Sequence, residues 1–349
     1  MVRGDFYSLR VADVESLTED SAAIRFDIPL ALRDTFNFAP GQSLTVKKGT
    51  DRRSYSICAP AGHAPRIGVR EVAGGAVSAW LIRQVRAGDV IDVQAPTGSF
   101  SPDLKAPGRH VLIAAGSGIT PMLSIAASVL QAHAESTVTL IYGNRRTDSV
   151  MFADDVADLK DAHPARMRLV HVLSREPQEV ELFSGRLDAG RLRRLLPATL
   201  DVGQVDHFWL CGPFGMVTDA IEVLTEHGVP PQRIHRELFY VEDEPPMEAH
   251  HPDAPPGPGS EVTVILDGRS TTTTVPPNVP VLDGAQMVRP DLPFACKGGV
   301  CGTCRALVTH GEVRMRRNFA LEKAELDAGY VLTCQALPVT DAVTIDYDS

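Results

Sequence analysis

Cys296-Lys297-Gly298-Gly299-Val300-Cys301-Gly302-Thr303-Cys304 reads C-x4-C-x2-C, and a fourth cysteine, Cys334, follows on the next strand pattern. That is the ligand spacing of a [2Fe–2S] cluster. Four thiolates are needed because each iron is tetrahedral and the two bridging sulfides fill only half of each shell. Gly298, Gly299 and Gly302 suit a loop that bends tightly and aims backbone N–H groups at the sulfurs. Two alternatives stand beside this reading. A zinc knuckle usually pairs two C-x2-C units, whereas Cys334 stands alone. A disulfide framework belongs to secreted chains.

Outward from that stretch, residues 260–349 read as β. Strand patterns at 261–266 and 271–275 flank an Asp267-Gly268 turn and make a hairpin. Residues 280–288 look helical, 304–309 and 342–346 look like strands, and a short helix is expected near 322–326. Together these make a β-grasp-like unit. Upstream, residues 242–259 form a linker with Pro255-Pro256-Gly257-Pro258-Gly259, a semi-rigid spacer in which His250 and His251 read as solvated rather than as a metal pair.

The chain has 349 residues, too many for one compact core, so two or three domains are expected. An apolar fraction of 44% and a charged fraction of 22% are those of globular protein. No run reaches the roughly 18 apolar residues of a membrane helix. A net charge of −10 argues against nucleic acid as a partner. Met1-Val2-Arg3-Gly4-Asp5 leads into no apolar signal core, which places the chain in the cytoplasm. A reducing compartment suits its six cysteines, of which Cys58 and Cys211 fall outside the cluster set.

Residues 1–105 alternate like short strands between Pro and Gly turns, with one helical pattern at 76–85, and suit a small antiparallel barrel. Within them, Arg53-Ser54-Tyr55-Ser56 sets a cation, an aromatic face and a hydroxyl along one extended segment. A flavin needs those three, for its phosphate, its ring and its N5 edge; an exposed strand with a satisfied tyrosine gives the same pattern. Gly74-Gly75-Ala76-Val77-Ser78 opens the helical pattern and can cradle a pyrophosphate through N–H groups, or be a plain turn with a serine cap.

From about residue 106 to 241, apolar strands alternate with helices, the βαβ signature of a doubly wound parallel sheet. Ligands of such sheets lie beyond the carboxyl ends of the strands. Those ends read Gly116-Ser117-Gly118-Ile119-Thr120-Pro121-Met122, Gly143-Asn144-Arg145-Arg146, Ser174-Arg175-Glu176 and Cys211-Gly212-Pro213. Gly116 and Gly118 let the backbone approach a phosphate, and Pro121 in the first turn points free N–H groups at it.

In this order the motifs resemble the ferredoxin–NADP reductase superfamily, and the last 90 residues resemble plant-type ferredoxin. The combination resembles the reductase components of multicomponent oxygenases. The tail, with Arg316-Arg317-Asn318-Phe319 and Gly329-Tyr330-Val331-Leu332-Thr333-Cys334-Gln335, is similar to the reductase subunits of phenylacetyl-CoA epoxidases. The resemblance implies FAD on Arg53, Tyr55 and Ser56, lined by Val69, Arg70 and Glu71, with its pyrophosphate on Gly75, Val77 and Ser78. It implies Thr120 and Cys211 flanking the nicotinamide, Glu237 nearby, and Phe239 as an aromatic beside the flavin.

Electron counting then gives the reaction. NAD(P)H delivers two electrons as a hydride, a [2Fe–2S] cluster accepts one, and a flavin can divide the pair. The expected route is NAD(P)H to FAD to cluster to a terminal oxygenase, a di-iron epoxidase or alternatively a steroid or aromatic-ring hydroxylase. The other reading is a non-enzymatic redox carrier or sensor. Arg145, Ser174 and Arg175 favour NADPH over NADH, because an NADH site usually places an acid there for the ribose. The cluster region carries Lys297, Arg305, Arg314, Arg316 and Arg317, either a rim that steers an acidic partner or cover for apolar surface.

Overall fold

The computed structural model describes residues 6–49, 51–239, 259–294, 296–321 and 323–349. All of the expected linker except Gly259 lies outside these, with His250 and His251, as does Glu322. The described residues divide into two compact units: 7–51 with 55–239, and 259–349 with Phe6 and 52–54.

The first unit opens with strands β1 (Phe6–Thr18), β2 (Ser21–Asp27), β3 (Ser43–Lys48), β4 (Asp51–Ser56), β5 (Arg66–Arg70) and β6 (Val90–Gln94), with helix α1 (Ala76–Arg83) between the last two. They form one sheet in the order β4-β3-β6-β1-β2-β5. Alternation explains it. In β2, Ile24 and Phe26 are buried while Arg25 and Asp27 are exposed. Leu9, Val11, Leu44, Val46, Ile67, Val69, Ile91 and Val93 join them in one core, each contributing about 1.5–3 kcal/mol of burial.

The same unit continues through β7 (Arg109–Ala115), α2 (Ile119–Ala132), β8 (Thr137–Asn144), α3 (Ala153–Ala162), β9 (Met167–Leu173), α4 (Ala189–Thr199), β10 (His207–Gly212), α5 (Phe214–Glu226) and β11 (Ile234–Leu238). The sheet runs β11-β10-β7-β8-β9 and its strands pair in parallel. Because helices cover both faces, β7 is buried almost end to end. The strand order reverses between β7 and β10, so a crevice opens beyond their carboxyl ends.

Three of these elements have no counterpart in the sequence reading. Helix α3 buries only Val156 fully, so its apolar stripe is faint. Helix α4 carries Pro197 inside it. Strand β11 is the polar run His235-Arg236-Glu237 at the sheet edge.

The second unit contains β12 (Ser260–Leu266), β13 (Arg269–Val275), α6 (Val281–Ala285), β14 (Arg305–His310), β15 (Val313–Met315), α7 (Lys323–Asp327), β16 (Tyr330–Leu332), β17 (Ala336–Pro338) and β18 (Ala342–Asp346). The main sheet is β13-β12-β18-β14-β16, with β15 and β17 paired apart. The hairpin turn takes positive φ at both Asp267 (55°) and Gly268 (68°), the type I′ geometry that matches strand twist. Helix α6 is shorter than the expected 280–288, because Met287 and Val288 stand exposed and continue no buried face.

Candidate functional site

Four residues meet at the β7/β10 crevice. In register, Cys211 of β10 lies opposite Ala114 of β7 on one side and Glu237 of β11 on the other. The turn after β7 presses against the end of β10: a Cβ on Gly118 would lie 2.1 Å from the Cys211 carbonyl oxygen. Thr120, in the first turn of α2, donates to the Ser117 carbonyl at 3.0 Å, and its Cγ2 touches Gly68 of β5. Ser56, the last residue of β4, donates from Oγ to Glu237 Oε2 at 3.1 Å.

The electrostatics follow from burial. Cys211 is sealed and its thiol pKa is pushed well above the usual value, first by lost hydration and then by the Glu237 charge. Desolvation pushes the Glu237 carboxyl up to about 8, against the opposing pull of the Ser56 hydrogen bond. At neutral pH a carboxyl of that kind holds a proton it can donate.

At the other end of the barrel segment, Gly74 (φ 74°) and Gly75 lead into α1, whose N-terminus has no side-chain cap. A Cβ on Gly75 would sit 2.7 Å from Ser78 Oγ, so the cradle is built for a bare backbone. The Ser78 hydroxyl accepts from Val72 N–H at 3.1 Å and donates to the Gly75 carbonyl at 3.2 Å. It is spent on shaping the loop, leaving the first-turn N–H groups of α1 for an anion. The donor set fits a flavin pyrophosphate.

Val69 and Val77 face the barrel core, so only their backbones are open to a ligand. Glu71 is clamped by Arg83 of α1 at 2.6 Å. Arg70 reaches Asp20 at 3.2 Å and the Ser149 carbonyl at 2.8 Å, and its Nη1 lies against Gly116. Arg53 is exposed, Ser54 and Tyr55 are half-buried on the same strand, and Phe239 packs on the nucleotide-domain core.

Beyond β8 and β9, backbone bonds Ser174 N–H to Asn144 C=O (2.9 Å) and Arg175 N–H to Arg145 C=O (2.8 Å) extend the sheet and hold both arginines exposed at its end. Glu176, the acid nearest them, is taken by Thr147, whose N–H (2.8 Å) and Oγ1 (2.7 Å) both donate to it. Gly212 and Pro213 close the crevice, with Pro213 as the N-cap of α5 and Gly212 packed on Met216 and Ala115. Asn144 closes β8 inside one of the strand-end clusters. Its side-chain amide is buried, and apart from the neighbouring Tyr142 hydroxyl no described group bonds to it. Tyr142 beside it is committed to the Gly116 and Met151 carbonyls. A buried amide left open at a strand end marks a place for a polar ligand; the signal in the sequence was an asparagine closing an otherwise apolar strand.

In the second unit the four thiols stand as two pairs within hydrogen-bonding reach, Cys296 with Cys301 and Cys304 with Cys334. The first pair is partly exposed and the second buried. Two separate pairs suit two irons with two thiolates each rather than one tetrahedral zinc. Positive φ at Lys297 (51°), Gly299 (79°) and Gly302 (67°) curls the loop. Gly298 N–H donates to Cys296 Sγ at 3.3 Å, and Gln335 Nε2 to Cys334 Sγ at 3.7 Å. Donors already aimed at sulfur fit an iron–sulfur cluster.

A pyrophosphate cradle, a nucleotide crevice and paired thiols in one chain define an iron–sulfur flavoprotein reductase. Residues 8–101 match the oxidoreductase FAD-binding domain, 112–222 the oxidoreductase NAD-binding domain, and 264–339 the 2Fe-2S iron-sulfur cluster binding domain. The chain belongs to the family of reductase components that serve oxygenases. It is 41% identical over 354 residues to a 1,2-phenylacetyl-CoA epoxidase subunit of Escherichia coli (strain K12), covering 99% of this chain and 98% of that one. It is 36% identical to the ferredoxin reductase component of 3-ketosteroid-9-alpha-monooxygenase of Mycolicibacterium smegmatis (strain ATCC 700084 / mc(2)155), over 97% and 96% of the two chains. The solved phthalate dioxygenase reductase shares the fold, with a TM-score of 0.58 at 24% identity over 98% of each chain. Among the described residues no helix is long and apolar enough to cross a membrane.

Proposed function

We propose that this chain is the NADPH-dependent reductase that supplies electrons to the oxygenase of a 1,2-phenylacetyl-CoA epoxidase. The observation that carries the reading is 41% identity along almost the full length of both chains. A second acceptor, a ketosteroid hydroxylase, is favoured by the 36% relative and is the alternative. We take residues 1–105, 106–241 and 260–349 as the flavin, nucleotide and cluster domains, joined by the linker 242–259, working in the cytoplasm where all six cysteines stay reduced.

When bound, FAD and the cluster supply the conversion of a hydride donor into single electrons. The protein supplies position. The first turn of α1, with Gly75, would hold the FAD pyrophosphate, and Arg53, Tyr55 and Ser56 its phosphate side, ring and N5 edge. Gly116, Ser117, Gly118 and Pro121 would receive the nucleotide phosphates, with Gly212 and Pro213 facing them. Thr120 and Cys211 would bound the nicotinamide, and Glu237, accepting from Ser56 Oγ on Oε2, would hold a proton beside them. Arg145 and Arg175, with Ser174, would take a 2′-phosphate. The capture of Glu176 by Thr147 supports that choice, since it removes the acid an NADH site would use. Cys296, Cys301, Cys304 and Cys334 would ligate the irons.

The test is reconstitution: holoprotein, NADPH and purified epoxidase oxygenase, measuring phenylacetyl-CoA epoxidation. Turnover matched to NADPH consumption supports the reading. NADPH oxidation with the ketosteroid oxygenase alone as acceptor would move it to the alternative.

A further inference from the structure

The basic residues around the cluster loop are not equivalent. Lys297 Nζ is held by Asp283 at 2.8 Å and Gln286 at 2.9 Å. Arg305 pairs with Glu325 at 2.8 Å and lies over the Tyr330 ring, 3.6 Å from its centroid. Arg317 has an interaction partner as well. Those charges are largely answered within the unit.

Arg314 and Arg316 are different. With Asn278, Met315 and Leu337 they line a cavity of about 560 Å³ on the β15–β17 edge. Arg314 is exposed; Arg316 is half-buried, with its Nε and Nη2 shut off from solvent and without any hydrogen-bond acceptor. Among the described residues nothing accepts from those two nitrogens, and Arg316 lines the cavity beside Arg314. Two guanidinium groups at one concave place, that of Arg314 exposed, present the positive charge that a carboxylate answers.

Position says whose carboxylate. Arg316 N–H donates to the Gln335 carbonyl at 3.0 Å, one residue from Cys334. Three residues on, Phe319 N–H donates to the Gly299 carbonyl at 3.1 Å, so the segment that starts in the cavity is the wall of the cluster loop. Cys296 and Cys301, the partly exposed thiols, belong to that loop. A group captured by Arg314 and Arg316 therefore sits on the segment that walls the cluster loop.

We propose that the Arg314–Arg316 cavity is a docking socket for an aspartate or glutamate side chain of the acceptor protein. The proposal rests on the electron-delivery reading above but not on which oxygenase is the acceptor. The socket fixes the acceptor close to the cluster loop and makes the encounter salt-sensitive.

The test uses full-length holoprotein and the double variant Arg314→Ala/Arg316→Ala, with iron content and visible spectrum confirming an intact cluster; Arg314→Ala alone, at the exposed arginine, is the fallback if the double variant does not fold. Electron delivery is followed against epoxidase-oxygenase concentration at two salt concentrations. The expected result is a KM for the oxygenase raised about tenfold, kcat unchanged, a weaker salt dependence, and NADPH-driven ferricyanide reduction as in the wild type. In parallel, a fluorescein-labelled octaglutamate peptide should bind the wild type at least fivefold more tightly than the variant, by anisotropy. An unchanged oxygenase KM overturns the socket, as does a peptide that does not distinguish the two proteins. A parallel fall in ferricyanide reduction overturns it too, placing the arginines in transfer within the chain. If the wild type fails to reduce the epoxidase oxygenase while the peptide still discriminates, the socket stands and the acceptor assigned above is wrong.

Discussion

Ser56 Oγ and Glu237 Oε2 lie 3.1 Å apart, a bond between the last residue of a barrel strand and the last strand of the parallel sheet. It ties a hydroxyl at the expected flavin edge to a carboxyl that burial has pushed up to about 8. The folded protein therefore holds a proton that the unfolded chain, with an ordinary carboxyl, has released across the range from about 4.5 to 8.

Stability should consequently decline as pH rises through that range, by up to roughly 1.4 kcal/mol per unit before screening and relaxation reduce it. In Glu237→Gln the decline should flatten. Urea midpoints at pH 6.5 and 8.5 measure this, and equal slopes in both proteins would show that Glu237 is not the group responsible. Hydride transfer should slow in the variant at every pH, since glutamine keeps a donor but loses the proton store.

An opposite slope is expected on the acid side. His110 is buried, accepts from Trp209 Nε1 at 3.2 Å, and faces His207, His235 and Asp206; burial depresses its pKa to about 4. His235 stacks on Trp209, with ring centroids 4.1 Å apart, and is also depressed to about 4, by burial and then by His207. The unfolded chain binds these protons below about 6.5 and the folded one does not, so stability is present above that pH and is lost on acidification toward 4. His235→Phe keeps the stack and removes one titration; its melting temperature should fall less between pH 6.5 and 4.5 than that of the wild type.

Arg175→Ala should raise the KM for NADPH by about ten- to a hundredfold, the worth of a charge-assisted hydrogen bond, and leave NADH almost untouched. Steady-state kinetics with both nucleotides decide it. Equal losses with the two would assign the arginine to folding rather than to a 2′-phosphate.

Cys301→Ser should leave a yellow protein with FAD and little iron, because Cys301 shares a pair with Cys296 and one hard oxygen cannot replace a thiolate at that iron. Cys211→Ser should retain full iron. A normal iron content in Cys301→Ser would remove that residue from the ligand set.

Much of this was legible from spacing. The cluster cysteines stood out because a metal centre fixes ligand intervals, and the strand-end clusters because a parallel sheet puts its polar residues at one edge. For Val69 and Val77 the sequence does not say which face the side chain takes; both side chains belong to the core, so any ligand contact there is made by the backbone. Helix α4 was hidden by Pro197, β11 by its charged sequence. Asn144 lies within a strand-end cluster but did not stand out there, because an unanswered amide is a property of its surroundings. The basic rim divided in the same manner, since only the fold shows that Asp283 and Glu325 answer Lys297 and Arg305.

The near-contact between Gly118 and the Cys211 carbonyl makes the nucleotide crevice a slot with one immovable wall. Any side chain at 118 would force the ends of β7 and β10 apart, so that wall offers no room for adjustment. Beyond the ends of β8 and β9 stand exposed Arg145 and Arg175, on two separate connections, with Glu176 of the second held by Thr147. On the proposed reading of Arg145 and Arg175, coenzyme preference is changed at those connections, by releasing Glu176 from Thr147 and trimming the arginines, with the glycine turn left alone.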